Sequence, residues 1–122
     1  MTKITESKSV KLGEIIWEVE HESGLGIIVY PIEGYATSCA VFGAKFGSIN
    51  VNFKDANGKL VRVPEGTAHF LEHKMFENKD GRDAFELFAE IGANANAFTS
   101  LEETCYTFST VAEFERNLEI SL

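Results

Sequence analysis

The hydrophobic period of this chain changes at Pro64, and the change separates a strand-forming part from a helix-rich part. Before it, GEIIWEVE (13–20) and GIIVYPI (26–32) are rich in β-branched and aromatic residues, and SGLG (23–26) between them reads as a hairpin turn. TSCAVFGAKFGS (37–48) reads as a third strand, alternating through Cys39 and Val41 and, less cleanly, Ala44 and Phe46. In INVNFKDANGKLVRV (49–63), Ile49, Val51 and Phe53 alternate with polar residues, and Asn57-Gly58 then predicts a hairpin into Leu60 and Val61.

Beyond Pro64 the period becomes helical. A first helix is predicted from Gly66 or Thr67 to Phe76, followed by a break at NKDG (78–81). A second helix carries Ala84, Leu87, Phe88 and Ile91 on one face against Asp83, Glu86 and Glu90, with Gly92 placed for a left-handed cap. NANAFTS (94–100) and ETCYTFST (103–110) return to strand composition, and VAEFERNLEISL (111–122) is helical. The pattern predicts one α+β domain over 1–122, mostly antiparallel sheet with helices packed on one face.

Charge and apolar distribution narrow the partners. The net charge is −8 with no basic cluster on any element, which argues against nucleic acid and anionic membrane. No apolar run reaches membrane-spanning length, and the first twenty residues are polar, so a cytoplasmic chain is expected. Cys39 and Cys105 form no CxxC and read as reduced core cysteines, while His21, flanked by glutamates, reads as a surface residue on the first strand.

TAHFLEHKMFE (67–77) holds the chemistry. At 3.6 residues per turn, His69, Glu72, His73 and Phe76 share one arc of about 100°, with Leu71 and Met75 on a second apolar arc. The helix is therefore expected to be buried on more than one side. Two histidines four apart are often ordinary core or surface residues. Here a glutamate stands directly before the second, giving HxxEH on an otherwise apolar helix. Two imidazoles one turn apart can address a single metal ion, and the glutamate can take a proton from water beside it.

GTAHFLEHKMFE (66–77), followed by ELFAEIGANANAFTSLEETCYTF (86–108), resembles the insulinase/pitrilysin family of zinc metallopeptidases, particularly its bacterial members. The resemblance runs from about residue 13 to the end. It implies that His69 and His73 bind zinc, that Glu72 is the general base, and that the fold is the first part of a metallopeptidase-type α/β sandwich. It also implies that Asn96, Ala97 and Phe98 lie on a strand whose backbone pairs with a peptide or protein substrate, the aromatic lining a side-chain pocket.

The family's third ligand is a glutamate on a later helix, beyond Leu122, and none of Glu102, Glu103, Glu113 or Glu115 matches it. The chain is therefore expected to be an N-terminal, incomplete domain, inactive alone, whose partner is a second homologous domain or another copy. The alternative is a non-catalytic module that binds peptides or a subunit through an exposed sheet edge.

Overall fold

A computed structural model of the chain describes residues 1–77 and 81–121. Its contacts form two compact units, Met1–Tyr35 and the part from Ala36 onward. The first unit is an antiparallel meander of β1 (Lys3–Lys8), β2 (Ile15–Glu20) and β3 (Gly26–Val29), in the order β1-β2-β3. Its register sets Ile4, Val19 and Ile27 side by side on one face. The β2–β3 turn is closed by Gly24, at φ +87, whose N–H donates to the His21 carbonyl at 2.9 Å. His21 lies just past β2, exposed, with Nδ1 2.8 Å from Ser23 Oγ. β1 was not foreseen, because KITESK carries Ile4 as its single apolar residue.

The second unit contains β4 (Ser38–Ala44), β5 (Asn52–Lys54), β6 (Leu60–Arg62), α1 (Thr67–Met75), α2 (Ala84–Glu90), β7 (Asn94–Thr99), β8 (Thr104–Thr110) and α3 (Phe114–Ser121). β5 and β6 form the hairpin that Asn57-Gly58 predicts. Gly58 turns at φ +77, and Asp55 Oδ1 accepts from the N–H groups of Asn57 and Lys59, each at 2.9 Å. β4, β8 and β7 form an antiparallel sheet in that order, with β8 in the centre. Among the described residues the strand pairing is antiparallel, as expected, and is divided among three small sheets.

Strand alternation decides which sheet face the helices cover. Ala40 on β4, Phe108 on β8 and Ala95 on β7 lie in one row across the sheet. Phe88 and Ala84 of α2 pack on that row, and Phe114 and Ile120 of α3 join them. Phe88 (4% exposed) and Phe108 (3%) stack with ring centroids 5.8 Å apart. Each such buried ring contributes about 1.5–3 kcal/mol relative to an exposed one. The inward face of β4 is thus Ala40 and Ala44, and the expected alternation through Cys39 and Val41 is corrected. The Phe108 ring lies opposite Ala40 in the core cluster. Consequently Cys39 is exposed, while Cys105 is buried as expected; both are free thiols.

Helix ends follow their sequence signals. Asp83 caps α2, its carboxylate accepting from the Phe85 N–H at 2.8 Å, and Gly92 leaves the helix at φ +74. The Ala84, Leu87, Phe88, Ile91 face is the inward one. In α1, however, the second apolar arc is open: Leu71 and Met75 are exposed, and the buried residues are Ala68 and Glu72. The helix lies against β7 and β8 on one side only. Of the expected break, residues 78–80 lie outside the described residues, as does Leu122 in the final helix. Among the described residues, no helix is long and apolar enough to cross a membrane.

Candidate metal and proton-transfer site

α1 begins at Gly66, which adopts φ +84, and Thr67 Oγ1 donates back to the Pro64 carbonyl at 2.7 Å. At its other end Phe76 stacks on Phe85 of α2, centroids 4.1 Å apart, and the Ala84 N–H donates to the Phe76 carbonyl at 2.8 Å. The helix is thereby held against the sheet with the face bearing His69, Glu72 and His73 defined.

The two imidazoles meet edge to edge: His69 Nε2 and His73 Nε2 are 3.1 Å apart. Two nitrogens sharing a tetrahedral zinc ion at about 2.0–2.1 Å stand about 3.3 Å from each other, so this spacing fits a shared ion. Glu72 completes a group whose possible ligand atoms lie within 4.8 Å of one another. A carboxylate at this distance can either ligate an ion held by the imidazoles or exchange protons with a water beside it. Both histidines are open to solvent, whereas Glu72 is 8% exposed.

The buried carboxylate is not alone. Thr99 Oγ1, on β7, donates to Glu72 Oε2 at 2.5 Å. Thr104, which faces Thr99 across the β7–β8 pair, donates to the Phe46 carbonyl at 2.7 Å, and the two threonine hydroxyls are 3.5 Å apart. Tyr106 lies nearby: burial, and secondarily the charge of Glu72, push its phenol above its ordinary value. The sequence assigned no role to Thr99 or Tyr106. The usable signal was strand alternation, which sets Ala95, Ala97 and Thr99 on the face toward the helices.

Asn96, Ala97 and Phe98 lie on β7, an edge strand of the described sheet. Ala97 is half-buried toward the helices, whereas Asn96 and Phe98 are exposed on the opposite face. The Phe98 ring is therefore not brought to the histidines. Asn96 Oδ1 accepts from the Ala97 N–H at 2.9 Å, so that N–H points to the free edge, away from β8. A shallow depression lined by Cys39, Val41, Asn94, Asn96, Thr107 and Ser109 lies on the open sheet face, away from the histidines. Among the described residues, His69, Glu72 and His73 form the one group of three or more His, Cys, Asp or Glu residues placed to hold a metal ion.

Comparison with known proteins gives a consistent picture. The family described as Insulinase (Peptidase family M16) matches residues 62–119. A Bacillus subtilis protein named as an uncharacterized zinc protease, YmfH, is 46% identical over 110 residues, covering 89% of this chain and 26% of that protein. The human mitochondrial-processing peptidase subunit beta is 50% identical over 44 residues, or 34% of this chain and 9% of its own length. The crystal structure of an M16-like peptidase from Alicyclobacillus acidocaldarius superposes with a TM-score of 0.75 at 28% identity, covering 98% of this chain and 25% of that one. The chain thus spans about a quarter of the length of YmfH and of that M16-like peptidase.

Proposed function

We propose, from the chain's membership of the insulinase family of peptidases, that it carries the zinc-binding and proton-transfer part of a metalloendopeptidase. The observation that carries this reading is the 3.1 Å approach of His69 Nε2 to His73 Nε2 with the Glu72 carboxylate beside them. His69 and His73 hold the ion. Zinc, when bound there, supplies positive charge that polarises a peptide carbonyl and acidifies water. Glu72 accepts a proton from the attacking water and returns it to the amine nitrogen as the C–N bond breaks.

β7 supplies the binding surface for an extended peptide or protein segment, through the backbone of Asn96, Ala97 and Phe98. An incoming carbonyl replaces Asn96 Oδ1 on the Ala97 N–H. A catalytic zinc ion wants three protein ligands and an open position. The third comes from beyond these two histidines: a carboxylate on a later helix, a second homologous domain or another copy.

The reading is tested with a fluorogenic peptide on zinc-loaded protein that includes the third ligand. Glu72→Gln abolishes hydrolysis while zinc content stays near wild type, and His69→Ala or His73→Ala loses the zinc. Loss of zinc in Glu72→Gln would make Glu72 a ligand and overturn its role as base. The open edge of β7 also favours a second reading, peptide binding without cleavage. That reading requires wild type and Glu72→Gln to bind peptide equally and neither to cut it.

A further inference from the structure

We infer that Thr99 is a positioning residue for Glu72, fixing which carboxylate oxygen is free to take the proton; this rests on the metallopeptidase reading of the site. Glu72 leaves α1 as a buried side chain, and the sheet, not the helix, determines its orientation. The Thr99 hydroxyl has one proton, and it goes to Glu72 Oε2 at 2.5 Å. Thr104 cannot compete for that carboxylate, because its own proton is directed to the Phe46 carbonyl at 2.7 Å. Thr104 Oγ1 stands beside the Thr99 hydroxyl at 3.5 Å.

The result is a carboxylate with unequal oxygens. Oε2 accepts from Thr99 and is turned into the sheet. Oε1 keeps its lone pairs for a proton arriving from the side of His69 and His73. Without the hydroxyl, the carboxylate can rotate about its last bond, and either oxygen can face the sheet. A general base has to be within hydrogen-bond reach of the proton it abstracts, so this rotation lowers the fraction of productive encounters. Substrate binding is untouched, because Thr99 faces the helices and the peptide lies along the strand edge.

The test uses zinc-loaded protein that includes the third ligand, with Thr99→Val, which keeps the shape and removes the hydroxyl, and Thr99→Ser, which restores it. Two readouts are taken: hydrolysis of a fluorogenic peptide, and the carboxyl carbon resonance of Glu72 in isotope-labelled protein. Removing a hydrogen-bond partner of this kind typically costs about 10- to 100-fold in activity. Thr99→Val is expected to lose that much kcat with KM and zinc content unchanged and the Glu72 resonance shifted. Thr99→Ser recovers the resonance and most of the rate. A Glu72 resonance in Thr99→Val identical to wild type overturns the proposal, whatever the activity. Failure of the metallopeptidase reading is separate and recognisable: Glu72→Gln then hydrolyses as wild type does, while the resonance still reports on Thr99 and Glu72.

Discussion

A side-chain carbon on Gly47 would lie 2.4 Å from the carbonyl oxygen of Leu101, closer than real Cβ contacts come. The segments carrying these residues run together: the Ser48 N–H donates to the Ser100 carbonyl and the Ile49 N–H to the Leu101 carbonyl, both at 2.9 Å. The β7–β8 connection is thus clamped to the segment after β4. Phe46, whose carbonyl accepts from Thr104, belongs to that same segment.

Gly47→Ala is therefore expected to cost about 1–3 kcal/mol, because the atoms it meets are backbone and cannot swing aside. Urea denaturation is the measurement. A midpoint equal to wild type would mean that the two segments separate freely.

The two histidines alone are predicted to bind zinc in this chain far more weakly than a three-ligand site does. Calorimetry should register a weak isotherm that vanishes in His69→Ala and in His73→Ala. Tight binding indifferent to both substitutions would move the metal elsewhere.

Asp83 closes the start of α2, the helix that supplies Phe88 to the core. Asp83→Ala should lower stability by about 0.5–2 kcal/mol, and Asp83→Asn, which still accepts from the Phe85 N–H, by much less. Thermal unfolding of the two variants makes the comparison, and equal losses would deny the cap its role.

Alkaline pH is predicted to weaken the fold. Burial, then the charge of Glu103, raises the Cys105 thiol above its ordinary 9.0, and burial, then Glu72, raises the Tyr106 phenol above 10.0. Both groups hold their protons more tightly folded than unfolded. Their contribution is intact below the unfolded values and is lost as pH rises through the folded ones. Denaturation midpoints from pH 7 to 11 should fall above about pH 9, and Cys105→Ala with Tyr106→Phe should flatten the decline. A wild-type profile no steeper than the double variant's would rule these groups out as its cause.

Self-association at micromolar concentration is the fifth expectation. β4 and β7 are edge strands of their described sheet, Val41 and Phe98 on them are exposed, and so are Leu71 and Met75 on α1. Light scattering that gives a 13.5 kDa particle throughout that range would contradict it.

What could be read in advance, and what could not, follows the range of the interactions. Asn57-Gly58, Asp83 and Gly92 act within a few residues and appear in the structure where their chemistry puts them. The histidine pair is equally local, since one helical turn is enough to create it. β1 escaped notice because a strand with one apolar residue has no period to detect. The inward face of β4 was misjudged because alternation alone does not say which face is covered, and Cys39 and Val41 proved to be on the open one. The choice is made by partners far along the chain, such as Phe108 opposite Ala40. Thr99 lay hidden for the same reason: its partner is 27 positions earlier, and nothing but the docking of β7 beside α1 brings them together.

The difference in range between the His69–His73 pair and the Glu72–Thr99 pair has a consequence for the order in which the site assembles. A turn of helix is enough to bring the two imidazoles together, so a chain with α1 formed could bind an ion before the sheet closes. An ion that also binds unfolded or half-formed chains stabilises the native state less than its affinity suggests. The base becomes oriented only when the sheet closes. A chain with α1 formed and its sheet still open would hold the imidazole pair without a directed carboxylate, so the proposed chemistry needs the docking of β7 as well as the helix.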